Sequence, residues 1–185
     1  HYSVGMPFRL IRMKNVKTIV KPLHPIVYIS TNLYHRGFNL SKKTDYMNAI
    51  DEYELVIKVL SKLPHRVCYK TYPEDNRRYA DIDPVINTVN KASNIDIFSD
   101  KIDMRFLISK HRILVTAHAT STLGWPVMSG RPVIFINQKN NYPLLDDAHT
   151  CMSEALFVFD DDDPNFYKDL RDFRSQSLEE IERLW

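Results

Sequence analysis

RILVTAHATSTLGWPVMSGRPVIFIN, residues 112–137, decides the fold. Its opening run, RILVTA, is short, rich in β-branched residues and apolar on both faces, the pattern of a buried parallel strand. A turn with three consecutive hydroxyl residues follows, Thr120, Ser121 and Thr122. Gly124 and Pro126 come next, so any helix here is short or kinked near its start. PVIFIN, residues 132–137, then reads as a second buried strand. Strands without polar alternation need cover on both faces, which points to a sheet sandwiched between helices.

The same alternation continues outward. IVYIS, residues 26–30, is a strand bounded by Pro25. After the loop TNLYHRGFNLSKK, the residues Tyr46, Ala49, Ile50, Tyr53, Val56, Ile57, Leu60 and Leu63 recur at three- and four-residue spacing. That spacing predicts an amphipathic helix stopped by Pro64. RVCYK, residues 66–70, is a strand, and Asp83-Pro84 opens a helix with an N-cap and a first-turn proline. NIDIFS is a further strand and MRFLISKH a short helix. ALFVFD, residues 155–160, is the last strand, and Asp163-Pro164 caps one final helix carrying Phe166, Leu170, Phe173, Leu178, Ile181 and Leu184. Residues 1–24 show no periodicity and read as a linker or a strap from a preceding domain; residues 25–185 form one domain. The expected class is α/β, a doubly wound, mostly parallel, Rossmann-like sheet with right-handed crossovers.

Composition narrows the functions. The 185 residues carry 25 Lys+Arg against 23 Asp+Glu, a net charge of +2, and are 44% hydrophobic. These values exclude a disordered chain, a collagen-like repeat and a basic nucleic-acid coat protein. Two cysteines, Cys68 and Cys151, are too few for a disulfide scaffold, so a reducing, cytoplasmic setting is expected, extending to the periphery of the inner membrane. The longest uncharged stretch, residues 113–130, holds too many polar groups to span a bilayer, and no signal peptide is legible at the start. A first residue other than Met fits either an excised piece of a larger enzyme or a trimmed start.

In a doubly wound sheet ligands bind beyond the carboxyl ends of the strands, and the loops there become the search list. Thr120, Ser121 and Thr122 can cap a helix with one side chain and donate to an anion with the others. Lys70 before Tyr72 and Pro73 can neutralise a phosphate beside a flat surface for a base or ribose. Arg36 next to Gly37 can reach a diphosphate, although a plain surface loop is the better explanation of that segment taken alone. Asp81 with Asp83, and the acidic run 160–163, have the composition of cation sites but are better explained as helix starts. No zinc-type spacing, GxxxxGK[ST] loop, GxGxxG or GxSxG elbow occurs, so neither a metal nor a standard dinucleotide cofactor is expected.

The run 112–137 resembles the donor-binding half of a GT-B glycosyltransferase. KTYP is similar to the His-Pro motif, and TST to the paired-serine motif, of bacterial transferases that use CMP-activated acidic sugars, the sialyl- and Kdo transferases. The tail DDDPNFYKDLRDFRSQSLEEIERLW is similar to the C-terminus of surface-carbohydrate transferases. The resemblance implies that Thr120, Ser121 and Thr122 bind the donor phosphate, with the helix dipole assisting; Arg36, read from its own loop, is expected at the same phosphate. It implies that Tyr72 and Pro73 pack near the cytidine, that Lys70 steadies the same pocket and that Ser99 and Asp100 contact the base or ribose. It further implies a CMP-linked donor such as CMP-Kdo, a glycan or glycolipid acceptor such as lipopolysaccharide or capsule, and catalytic groups on a second Rossmann-like domain. Two positions depart from the pattern: Tyr72 stands where the family has His, and LGWPVMSG lacks the acidic residue of a UDP-glucose-type ribose clamp. A nucleotide-sugar epimerase of related fold and a non-catalytic flavodoxin-like interaction domain remain as alternatives.

Overall fold

The computed structural model describes residues 24–30, 45–71, 83–102, 104–108, 110–119 and 122–185. Strand β1 (Ile26–Ile29) leads to helix α1 (Asp45–Lys58) and a 3-10 turn, Leu60–Lys62. Then come β2 (Val67–Lys70), α2 (Pro84–Lys91), β3 (Ile95–Phe98), α3 (Met104–Ile108) and β4 (Ile113–Thr116). The second half runs α4 (Gly124–Val127), β5 (Val133–Asn137), α5 (Asp146–Ala155), β6 (Phe157–Asp160), α6 (Phe166–Arg174) and α7 (Leu178–Leu184).

The six strands form one sheet in the order β3-β2-β1-β4-β5-β6, and every pairing is parallel. This is the doubly wound Rossmann-like order, with its reversal between β1 and β4. The expected fold class therefore stands. Successive residues of a strand point to opposite faces. Ile26, Tyr28, Val67, Tyr69, Val115 and Ile136 face one layer with Val56, Val85, Leu170 and Ile181. Val27, Ile29, Cys68, Leu114 and Phe135 face the other with Ile108 and Leu156. At the amino ends of the strands, Arg112 donates to Glu182 at 2.7 and 2.8 Å and to Glu179 at 2.8 Å, tying α7 to β4.

Local signals held where a side chain closes a backbone group. The Asp83 carboxylate accepts from Val85 N at 2.9 Å and Ile86 N at 3.1 Å, so the predicted cap before Pro84 is real. Three expectations need correction. The final helix is two helices, because the Ser177 hydroxyl accepts from Glu180 N and starts α7 afresh. Asp163 does not cap α6: its carboxylate accepts from Asn165 N at 2.7 Å in a preceding turn, and Asn165 occupies the cap position without a side-chain bond. The buried stripe of α1 is also rotated from the predicted one. Asn48, Ala49, Glu52, Leu55 and Val56 face the sheet, while Tyr46 is 71% exposed and Ile50 and Tyr53 lie on the surface. Helix α5 was not foreseen, and it buries none of its residues fully. Residues 1–23 lie outside the described residues, and the linker reading of that segment stays an expectation.

Candidate functional site

Beyond the carboxyl end of β1 and next to the sheet's reversal, a hydrogen-bonded cluster closes around Glu52. This residue sits on the buried face of α1 and is 6% exposed. Tyr28 of β1 donates its hydroxyl to Glu52 Oε2 at 2.6 Å, and Tyr69 of β2 donates to Oε1 at 2.6 Å. Such lengths are those of hydroxyls bonded to a charged acceptor. Ser30 Oγ lies 3.1 Å from the Tyr69 hydroxyl and also stabilises the carboxylate. Burial raises the carboxyl's pKa above the usual value, and the bonds from Tyr28, Tyr69 and Ser30 pull it back. Burial, reinforced by the Glu52 charge, pushes both tyrosines well above theirs. The rings of Tyr28 and Tyr69 lie 5.5 Å apart, so the sheet itself holds the two donors.

The cluster floors a cavity of about 170 Å³ between the strand tips and α6. Asp51, Gln138, Asn140, Asp161 and Tyr167 complete its polar wall, while Leu55, Ala117, Ile136 and Phe166 supply apolar surface. Tyr167 donates its hydroxyl to Glu54 Oε2 at 2.8 Å, bridging α6 to α1 across the mouth. The Asp161 carboxylate accepts from Lys139 N at 2.8 Å, which joins the loops after β5 and β6. Below them, buried Asn137 donates to Asp160 Oδ1 at 2.6 Å and accepts from Leu144 N at 3.1 Å. Asn141 donates to Asn48 at 2.8 Å, so the loop after β5 is pinned directly to α1.

Those residues expected from sequence that the structure describes, Lys70, Ser99, Asp100 and Thr122, follow or end strands β2, β3 and β4. Lys70 ends β2, is 3% exposed and donates through Nζ to the carbonyls of Thr71 at 3.0 Å and Asp100 at 2.9 Å. Burial lowers its pKa, and the Phe98 ring lies 5.4 Å from the ammonium. Lys70 is therefore a clip between β2 and the loop after β3, with its side chain under the edge rather than in the cavity. Ser99 and Asp100 are exposed beyond β3, three strands from β4, or roughly 15 Å at the usual spacing. Thr122 is half-buried after β4, and its carbonyl accepts from Trp125 N at 3.3 Å. Helix α4 has Leu123 at its cap position without a side-chain bond, and at four residues it contributes little dipole. Arg36, Tyr72, Pro73, Asp81, Thr120 and Ser121 lie outside the described residues. Lys70 and Asp100 are thus brought together, and Thr122 stands apart from them across β1.

Sequence reading missed Glu52, Tyr28, Tyr69, Gln138 and Asp161. Glu52 carried one available signal: it lies four residues from Asn48 and from Val56, on the stripe that packs against the sheet. Among the described residues no group of three or more His, Cys, Asp or Glu is arranged to hold a metal ion, and no helix is long and apolar enough to cross a membrane.

No protein-family model matches the sequence, and no curated protein matches it. Nine chains of solved structures do match. Among them is spinosyn forosaminyltransferase SpnP, with a TM-score of 0.50 and 12% identity, over 98% of this chain and 42% of that one. The chain spans less than half the length of that transferase, and the likeness is one of fold alone. The fold is therefore glycosyltransferase-like, a Rossmann-like parallel sheet of the kind that makes one half of a GT-B enzyme.

Proposed function

We propose that the chain is the nucleotide-sugar-binding half of a glycosyltransferase, with catalytic groups on a second Rossmann-like domain. The observation that carries this reading is the sheet order: it reverses between β1 and β4, where such sheets bind ligands, and the cavity at Glu52 is lined by Tyr28 of β1 and by Ala117 just after β4. The described residues of that cavity include hydroxyl and amide side chains, Tyr167, Gln138 and Asn140, of the kind that orient a sugar nucleotide by hydrogen bonds. The SpnP likeness supports sugar transfer as the general class.

The finer reading, a cytidine monophosphate donor with Thr120, Ser121, Thr122 and Arg36 at the phosphate and Lys70, Tyr72, Pro73, Ser99 and Asp100 near the nucleoside, rests on the KTYP and TST resemblance. The same resemblance supports a surface glycan acceptor. Isothermal titration of the chain with CMP, UDP and GDP tests the reading. CMP should bind at least tenfold more tightly than the other two, and Thr122→Val should weaken it by about 3- to 10-fold, the worth of one hydrogen bond. Heat from UDP or GDP alone would sink the cytidine assignment; no heat from any of the three would sink the nucleotide reading.

One observation favours an epimerase as a second reading. Asp51, Glu52 and Asp161 line the cavity, and epimerisation needs carboxylates in the cleft. An epimerase of this architecture would also need histidines in the cleft, and among the described residues none lines the cavity. Product analysis of the full-length enzyme without acceptor separates the two, since only an epimerase converts the donor.

A further inference from the structure

Helix α1 is turned inside out. Asn48 and Glu52 on its inner face are buried, while Tyr46, Met47, Ile50 and Tyr53 are exposed. Buried polar residues beside an exposed apolar group are the informative departure from ordinary burial. The orientation is fixed from within. Glu52 is bonded by Tyr28 and Tyr69, and Asn48 accepts from Asn141 at 2.8 Å. A helix rotated to hide its tyrosines would break all three bonds. The outer stripe runs Tyr46, Ile50, Tyr53 and the half-buried Ile57, at spacings of four, three and four residues. That is the spacing of a helix-packing seam. A helix apolar on two faces calls for two partners, and the sheet supplies one of them.

We propose that the second partner is the same stripe on another copy of this chain, packed antiparallel across a two-fold axis. The spacing is symmetric under reversal. An antiparallel copy sets Tyr46 against the partner's Ile57 and Ile50 against the partner's Tyr53, each contact occurring twice, as an isologous interface requires. The ends agree with this register. The helix runs from Asp45 to Lys58, so the copy brings an acidic first residue level with a basic last one, and the two helix dipoles run in opposite senses. Area sets the strength. At about 150–250 Å² for an aromatic side chain, exposures of 71% at Tyr46 and 38% at Tyr53, with those of Met47 and Ile50, leave roughly 400 Å² open per copy. Two stripes bury about 800 Å², short of the roughly 1,200–2,000 Å² of stable complexes, so the pair is a weak one that forms at high local concentration. The crossover helix runs back along the sheet, so the two carboxyl edges point in opposite directions and both cavities stay open.

The test is sedimentation velocity of the chain from about 10 µM to about 1 mM. The sedimentation coefficient should rise with concentration. Ile50→Lys, counted twice across the two-fold, should weaken the association at least tenfold with an unchanged circular dichroism spectrum. Tyr46→Lys, at the most exposed position of the stripe, carries the same expectation and decides the matter if Ile50→Lys alters the spectrum. Leu145→Lys, at an exposed apolar residue outside the stripe, should leave the association as it is. Disulfide trapping in a Cys151→Ser background reads the register. Ile50→Cys mixed with Tyr53→Cys should cross-link, whereas Tyr46→Cys should not cross-link to itself, its two copies lying roughly 16 Å apart along the helix axis. A chain that stays monomeric at the highest concentration overturns the proposal. So does association that survives the stripe substitutions, association that Leu145→Lys weakens as much, or trapping at Tyr46→Cys in place of the mixed pair.

Discussion

Two buried charges sit at the tips of neighbouring strands, and they are satisfied in opposite ways. Lys70, at the end of β2, spends its donors on the carbonyls of Thr71 and Asp100. Glu52, on α1, is held by the hydroxyls of Tyr28 and Tyr69 and still faces an open space. A buried charge must be paired or hydrogen-bonded, so burial alone does not mark function. What distinguishes the two is where they lie: the lysine fastens one loop to another, and the glutamate lines a cavity.

The largest expected effect comes from removing the glutamate. Glu52→Ala leaves the buried Tyr28 hydroxyl unpaired, at about 1–3 kcal/mol, and takes from Tyr69 a bond to a charged group, at about 1.5–3 kcal/mol, leaving it Ser30 alone, so unfolding in urea should show a loss of about 2–6 kcal/mol. Adding Tyr28→Phe and Tyr69→Phe to that variant should recover part of the loss, because no hydroxyl is then stranded. A triple variant no more stable than the single one would mean that the cluster is held by packing and not by its hydrogen bonds.

A pH effect of similar order comes from His111 at the opposite end of the sheet, 4% exposed, with Nδ1–H donating to the His24 carbonyl at 2.9 Å. Burial pushes its pKa down from 6.5 to about 4. Between those values the unfolded chain binds the proton and the folded one does not. The stability is therefore fully present above pH 6.5 and is lost as pH falls towards 4, by about 3 kcal/mol at roughly 1.4 kcal/mol per unit. His111→Asn, which keeps a donor without a titrating ring, should flatten that part of the urea midpoint's pH profile; an unchanged slope would assign it to other groups.

Lys70→Met should cost about 1.5–3 kcal/mol, the range for a hydrogen bond to a charged group, offset partly by contact with Phe98. If Lys70 is the clip its geometry indicates, CMP affinity in the variant changes less than stability does. A loss of CMP binding greater than tenfold in a stably folded variant would mean that Lys70 also acts on the nucleotide, as expected from sequence. The smallest effect is a gain. Arg174 is 0% exposed, its three guanidinium nitrogens have no hydrogen-bond partner among the described residues, and burial lowers its pKa to about 9. Arg174→Met should raise stability by about 1 kcal/mol, or about 2–4 °C in Tm for a chain of this size, read by calorimetry.

Much of the fold was legible because strands apolar on both faces and side-chain caps are local signals. β1, β2, β4 and β5 announce themselves as unbroken apolar runs, and Asp83 caps α2 where the dipeptide Asp-Pro said it would. Helix α5 left no such trace, since DDAHTCMSEA packs only partly buried residues and shows no apolar stripe. The stripe of α1 was misjudged for a different reason. Tyr46, Ile50 and Tyr53 satisfy the helical period as well as Asn48, Glu52 and Leu55 do, and they are more apolar. Periodicity says that a helix has faces, while the partner surface chooses which one is buried.

The candidate site divides along the same line. Lys70 and the Thr122 turn could be named as candidates because a strand end followed by a polar loop can be recognised from composition. The Glu52 cluster draws on β1, α1 and β2, and its cavity adds the loops after β5 and β6, segments more than 100 residues apart. The chain by itself determined the class of fold, a doubly wound parallel sheet, because the burial of each strand is written into consecutive residues. Only the tertiary structure decided where the acceptors converge, because hydrogen-bond satisfaction at Glu52 and Gln138 depends on neighbours that the folded sheet alone brings within reach.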